Sequence, residues 1–334
     1  MMLKANFVCS QPDKLRSVYA PGVVAQIREI AALDEAIFSR EDVLQSPDSF
    51  ADTEILFSTW GMPVFSEEEI RRCFPHLKCI FYAAGTVQSF ARPFLACGVR
   101  VFSAWAANAV PVAEYAVSQI LLANKGFFTL SQMMKVDSHT ARACVSVYPG
   151  NYGANVGLIG CGMIGSLTAE MLKAYRLRVW AYDPFLSDDR ASALGVTRCT
   201  LEELFARCRV VSNHLANNAQ TRGMLQYSHF ASMPENGVFL NTGRGAQVVE
   251  ADLVRALTDR PDLTAVLDVT FPEPPENGHA FYTLPNCVLT PHIAGSIGDE
   301  VVRMAEYMLE ECRAWLDGRA PRYEVTVSML ETMA

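Results

Sequence analysis

Three polar side chains stand just past apolar runs in the second half of the chain. Arg244 lies in Asn241-Thr242-Gly243-Arg244-Gly245, Glu273 in Asp268-Val269-Thr270-Phe271-Pro272-Glu273, and His292 in Thr290-Pro291-His292-Ile293-Ala294-Gly295. A guanidinium holds a carboxylate in a planar fork. An imidazole exchanges protons near neutral pH, and a carboxylate can orient it. Singly, such an Arg is more often a surface ion pair and such a His a structural one. Jointly they read as an acid–base set with an anion grip. Upstream, Gly160, Gly162 and Gly165 have the G-x-G-x-x-G spacing, and Asp183 follows about 20 positions later.

The elements that must position these groups can be read from periodicity. Asn155–Ile159 is apolar and uncharged, a short buried strand. An amphipathic run from Met163 through Leu167, Met171 and Leu172 reads as a helix. Strand, glycine turn and helix together make a dinucleotide-binding fingerprint. Gly160 makes the tight turn, Gly162 lets backbone approach a pyrophosphate, and Gly165 lets helix pack on strand. Leu177–Tyr182 is a second strand ending at Asp183, whose carboxylate suits ribose hydroxyls and repels a 2′-phosphate. Pro184–Ser187 adds no Arg or Lys, so NAD is favoured over NADP.

Strand and helix signals alternate along the rest of the chain, which indicates parallel sheets with crossover helices. In the first part, strands are expected at Ala5–Cys9, Glu54–Ser58, Cys79–Ala83 and Val99–Ser103. Helices are expected at Val23–Leu33 and Ser66–Cys73, where Ser66 caps and Glu69 sits three residues on. Ala109 to Gln132 reads as one long helix with Pro111 in its first turn, and Asp137–Asn151 as irregular. Later strands are expected at Val210–His214, Gly237–Asn241, Leu263–Asp268 and Cys287–Thr290. Later helices are expected at Leu201–Arg207, Glu250–Thr258 and Asp299–Leu316. Ligands of such sheets meet loops at strand C-terminal ends. Thr59–Pro63, with Trp60, Gly61 and Met62, and Ala84–Gln88, with Gly85, are therefore candidate binding loops. Trp60 reads equally well as simple packing.

With 334 residues, half of them hydrophobic, the chain is long enough for two domains with large cores. The net charge of −8, without a basic block, argues against a general binder of nucleic acid or membrane surfaces. The start of the chain, Met1–Cys9, reads as a first strand and not as a signal peptide. Ten cysteines include no C-x-x-C pair, so they read as reduced core residues of a cytoplasmic protein. No cluster has metal-ligand spacing.

Taken together, the chain resembles the D-isomer-specific 2-hydroxyacid dehydrogenases. The matching pieces are Gly160–Gly165 with Asp183, Thr221–Met224, Asn241–Gly245, Leu267–Pro275, Pro291–Ser296 and Ala107–Glu114. The resemblance implies an α/β protein of two Rossmann-like, doubly wound parallel-sheet domains with a cleft between them. A flavodoxin-like substrate domain would comprise residues 1–105 and 297–334, and an NAD-binding domain residues 106–296. It implies NAD-dependent interconversion of a 2-oxo acid and a D-2-hydroxy acid. Arg244 would bind the substrate carboxylate and keto oxygen, His292 would be the acid/base, and Glu273 would hold the other imidazole nitrogen and favour the protonated ring. Cofactor contacts would come from Gly160, Gly162, Met163, Ile164, Gly165 and Asp183. Others would come from His214, Leu215, Thr242, Gly243, Asp268 and Gly295, with Asp268 on the nicotinamide carboxamide. Trp60, Gly61, Ala84, Gly85 and Thr86 would line the substrate side. A homodimer is implied as well.

Three departures from the family pattern stand out. Ala216 replaces the usual proline after His214-Leu215, Ala83–Gln88 is an unusual carboxylate loop, and Gly126–Ala154 matches poorly. An NAD-sensing regulator or scaffold on the same fold is the alternative from another class. A formate dehydrogenase-like activity is disfavoured by Glu273 where that branch carries Gln.

Overall fold

The computed structural model describes residues 2–331; residue 1 and residues 332–334, which fall in the expected ranges 1–105 and 297–334, lie outside the described residues. In chain order the strands are β1 (Lys4–Val8), β2 (Ala32–Phe38), β3 (Ile55–Ser58), β4 (Cys79–Tyr82), β5 (Arg100–Ser103), β6 (Tyr152–Ile159), β7 (Arg176–Tyr182), β8 (Thr197–Arg198), β9 (Val210–Asn213), β10 (Val238–Asn241), β11 (Thr264–Leu267), β12 (Cys287–Leu289) and β13 (Glu324–Val325). The chain divides into two compact units, Met1–Asn108 with Ser296–Ala334, and Ala109–Gly295.

The first unit carries a six-stranded sheet in the order β2-β1-β3-β4-β5-β13. Its first five strands are parallel and follow the flavodoxin-like order. β13 runs antiparallel and pairs Val325 with Val101 and Glu324 with Phe102. The second unit carries a seven-stranded parallel sheet in the order β8-β7-β6-β9-β10-β11-β12. Renumbered within the unit, that is the dinucleotide-binding order 3-2-1-4-5-6 with one added strand. Helices cover both faces of each sheet, so the central strands β3, β4, β9 and β10 are buried along their whole length. That is why they carry no charged residue and read as mainly apolar runs. Two buried hydrophobic clusters lie in each unit.

Several elements differ from expectation. The helix expected over Val23–Leu33 is Pro21–Arg28, and Ala32–Phe38 is an edge strand. The long helix runs from Trp105 to Asn124 with Pro111 inside it. It stops because Gly126 takes a left-handed φ of 70°, and a second helix, Phe127–Val136, follows. The stretch expected to be irregular contains a helix at Ser138–Ala143, capped by the Asp137 carboxylate. The last helix starts at Val302 after a 3₁₀ turn and not at Asp299. Where Ser66 was expected to cap, its hydroxyl accepts from Glu69 N (3.2 Å) while the Glu69 carboxylate accepts from Ser66 N (2.9 Å).

Candidate active site

Because the second sheet is parallel, the residues that follow β6, β7, β9, β10, β11 and β12 share one edge. They are Gly160, Asp183, His214, Thr242, Asp268 and Thr290. Gly160 has a φ of 87°, and a Cβ there would press on the His214 carbonyl. At Gly165 a Cβ would collide with the Gly160 carbonyl, so helix Met163–Leu172 can start this close to β6 only with glycine. Gly162, the N-cap, has open space at its Cα, and no side chain caps the helix. Its first N–H groups are left for an anion. Met163 is exposed, Ile164 half-buried.

Asp183 Oδ2 accepts from the Cys161 amide (2.7 Å) and Oδ1 from Phe185 N (2.8 Å), which fixes the carboxylate against the glycine turn. Beside it lies a cavity of about 600 Å³, lined among others by Tyr182, Cys199, Thr200, Met224 and His229. His214 is buried. Its Nδ1 lies 3.4 Å from Thr242 Oγ1, and its Nε2 has no hydrogen-bond partner among the described residues. Burial pulls the ring pKa down from 6.5 to about 4, so the imidazole is neutral. The open glycine cradle, the uncapped helix start, the carboxylate and the orphaned Nε2 fit a dinucleotide. Leu215 is half-buried beside them, and Gly295 ends the loop after β12.

The polar set lies further along the same edge. His292 Nδ1 is 2.6 Å from Glu273 Oε1, and both side chains remain about half exposed. Arg244 is largely buried. That burial lowers its guanidinium pKa, and the nearby Glu273 charge opposes the shift. Its Nη1 donates to Gly243 O at 2.8 Å. These groups can hold an anion and exchange a proton beside it.

Asp268 and two residues not singled out by sequence, Glu250 and Gln247, hold this set in place. His292 has a φ of 55°, a conformation that costs a non-glycine residue about 1–3 kcal/mol. Asp268 holds it there: Oδ1 accepts from Thr290 Oγ1 (2.6 Å) and Ile293 N (2.8 Å), and Oδ2 from Ala294 N (2.8 Å). So the side chain expected to face the carboxamide is first the clamp of the histidine loop. Glu250 accepts from Phe271 N (2.8 Å) and so braces the segment that carries Glu273; burial raises its carboxyl pKa. A fully buried amide, Gln247, holds the Arg244 loop. Its Oε1 accepts from Arg244 N (3.0 Å) and Asn213 Nδ2 (2.6 Å), and its Nε2 donates to Leu215 O (2.8 Å) and Ala216 O (3.0 Å). Asn213 Nδ2 also donates to Asn241 Oδ1 (2.9 Å), which accepts from Gly243 N (3.1 Å). The signal available in the sequence was two amides close to valine pairs, in Val210-Val211-Ser212-Asn213 and in Gln247-Val248-Val249.

The remaining expected residues belong to the first unit. Trp60 packs against both of its core clusters, with Lys14 Nζ 5.2 Å from the ring. Gly61 has a φ of 97°, and its carbonyl accepts from Ser10 N (2.9 Å). Ala84 is buried, Gly85 has open space at its Cα, and Thr86 is exposed. The two loops are tied where Thr59 Oγ1 donates to Ala83 O (2.7 Å). Among the described residues no three His, Cys, Asp or Glu side chains are placed to hold a metal, and no helix is long and apolar enough to cross a membrane.

Residues 117–294 match the family described as D-isomer specific 2-hydroxyacid dehydrogenase, NAD binding domain. A D-3-phosphoglycerate dehydrogenase of Archaeoglobus fulgidus is 29% identical over 234 residues, 70% of this chain and 44% of that protein. One of Mycobacterium tuberculosis is 32% identical over 223 residues, 66% of this chain and 41% of that one. The chain thus spans about half the length, or less, of these relatives. Among solved structures, a phosphoglycerate oxidoreductase from Rhizobium etli superposes with a TM-score of 0.81 at 18% identity, covering 99% of this chain and 100% of that one. The NAD-complexed D-isomer specific 2-hydroxyacid dehydrogenase of Lactobacillus delbrueckii gives 0.78 at 21% identity, over 97% and 100%. At these identities the two structures share the fold.

Proposed function

Because the chain belongs to the D-isomer-specific 2-hydroxyacid dehydrogenases, its second unit carrying the family's NAD-binding domain, we propose that it interconverts a 2-oxo acid and a D-2-hydroxy acid. The observation that carries this reading is the 2.6 Å contact between His292 and Glu273 near the largely buried Arg244. NAD, when bound, supplies or accepts the hydride. The glycine turn Gly160–Gly165 and the start of its helix would hold the pyrophosphate, Asp183 the adenosine ribose, and the adjoining cavity the adenine.

Arg244 binds the substrate carboxylate and keto oxygen through its planar fork, where a lysine would offer one point charge. In reduction His292 gives a proton to the carbonyl oxygen; in oxidation it takes the hydroxyl proton. Glu273 holds Nδ1, which leaves Nε2 as the exchanging nitrogen. Within the first unit, the Ala84–Thr86 amides, opened by Gly85, are assigned an anion-binding role. A homodimer is proposed as well. It is supported by the exposed Phe127, Met134, Val136, Val145 and Val147, and sedimentation velocity tests it. Ten unpaired cysteines support a reducing, cytoplasmic setting.

The test is NADH oxidation against glyoxylate, hydroxypyruvate, pyruvate, branched and aromatic 2-oxo acids and 3-phosphohydroxypyruvate, repeated with His292→Ala. The expected result is turnover on at least one acid, reduced at least a hundredfold in the variant, with NADH affinity nearly intact. Silence across the panel with NADH bound would favour the NAD-sensing reading.

A further inference from the structure

Arg190 is the basic residue that the tetrapeptide Pro184–Ser187 lacks. It lies in the short helix Asp188–Leu194, three positions past Ser187, and folds back onto the glycine turn. Its Nη2 donates to Cys161 O (2.9 Å) and to Ser166 Oγ (2.9 Å). Ser166 Oγ in turn donates to Cys161 O (2.8 Å). On the other side of Cys161, its amide donates to Asp183. One residue of the glycine turn is thus flanked by a guanidinium and a carboxylate.

This arginine has no Asp or Glu oxygen within ion-pair distance among the described residues; the nearby Asp188 pairs with Arg198 instead. Among the described residues its two hydrogen bonds use one nitrogen, so Nε and Nη1 keep their N–H groups uncommitted there. It also sits at the N-terminal turn of helix Met163–Leu172, where the dipole is positive and a cation is disfavoured. A cation held there by neutral acceptors, with donors to spare, lacks an anion. A phosphate arriving at that helix start would meet the free backbone N–H groups and a guanidinium fork together.

We infer that Arg190 is a phosphate-binding residue of the cofactor site. The phosphate is borne on the adenosine half of the dinucleotide, as the pyrophosphate common to NAD and NADP or as the 2′-phosphate of NADP alone. Affinities of NADH, NADPH and adenosine are measured by calorimetry for the wild-type protein and Arg190→Gln. Arg190 is exposed, so the substitution leaves the core untouched. A loss of about tenfold or more for both dinucleotides, with adenosine unchanged, is expected if the pyrophosphate is held. A loss confined to NADPH identifies the 2′-phosphate and supports the inference equally. Unchanged affinities for both dinucleotides overturn it, as does an equal loss for adenosine, because Arg190 would then act only by bracing the turn.

Discussion

Gln247 is the position at which the largest effect should come from a residue that touches no ligand. Replacing it with Leu roughly keeps the volume but removes every side-chain hydrogen bond it makes. Arg244 N–H loses its acceptor, and Asn213 Nδ2 keeps only Asn241 Oδ1. The Leu215 and Ala216 carbonyls each lose a donor, but both residues are half-buried and water can replace it. Two stranded donors at about 1–3 kcal/mol each, less some gain from the apolar side chain, give a loss of about 3 kcal/mol. Adding Asn213→Leu removes one stranded donor together with its partner. The double variant should therefore lose about 1 kcal/mol less than the sum of the single losses. Urea unfolding followed by far-UV circular dichroism measures the stability. Steady-state kinetics measure the second consequence: KM for the 2-oxo acid should rise at least tenfold, because the backbone beneath Arg244 is released. A Gln247→Leu protein within 0.5 kcal/mol of wild type and with unchanged KM would refute the claim that this amide holds the arginine loop.

Three other perturbations follow from the same geometry. Asp268→Asn puts a donor against one of two loop amides that now donate to the carboxylate, so hydrogen exchange at Ile293 and Ala294 should speed at least tenfold; unchanged exchange would show that the loop holds itself. His214 takes up a proton near pH 6.5 when unfolded but only near pH 4 when folded. Its contribution is therefore intact above pH 6.5 and is lost as pH falls toward 4, reaching about 2 kcal/mol at pH 5. Comparing the pH dependence of urea unfolding with that of His214→Gln isolates it, and parallel curves would mean that folding leaves the ring's pKa unshifted. Asp183→Ala should narrow the preference for NADH over NADPH, and an unchanged ratio of affinities would remove Asp183 from the ribose.

The central strands were legible because a parallel sheet covered on both faces demands uncharged, mainly apolar runs, as in Ile55–Ser58 and Val238–Asn241. β2 was not legible. It is an edge strand carrying Asp34 and Glu35, and its leading apolar residues continue the helical spacing before it. The break at Gly126 was hidden because one glycine in a helical pattern is compatible with continuation. At the site, motif order pointed to the glycine turn, Asp183, Arg244, Glu273 and His292, which all follow strand ends. What spacing could not show were partners brought from other strands. Gln247 meets Asn213 across the sheet edge, Glu250 reaches the Phe271 amide, and Arg190 returns to the glycine turn. The family resemblance gave Asp268 a cofactor contact, whereas its three donors from the histidine loop could not be read from spacing.

β13 covers the edge of a sheet whose other strands all precede the second unit, and Arg100 Nε and Nη2 clasp Glu324 at 2.7 Å to fix it there. During synthesis, β1 to β5 therefore leave the ribosome with the β5 flank uncapped. That flank stays open until the whole of Ala109–Gly295 and the helix Val302–Leu316 have been made. The second unit is contiguous and can complete its sheet in a single pass. The order of translation thus opposes the order of completion: the portion made first is closed last, and its exposed β5 edge is the surface that a nascent chain of this protein must keep from pairing with a neighbour.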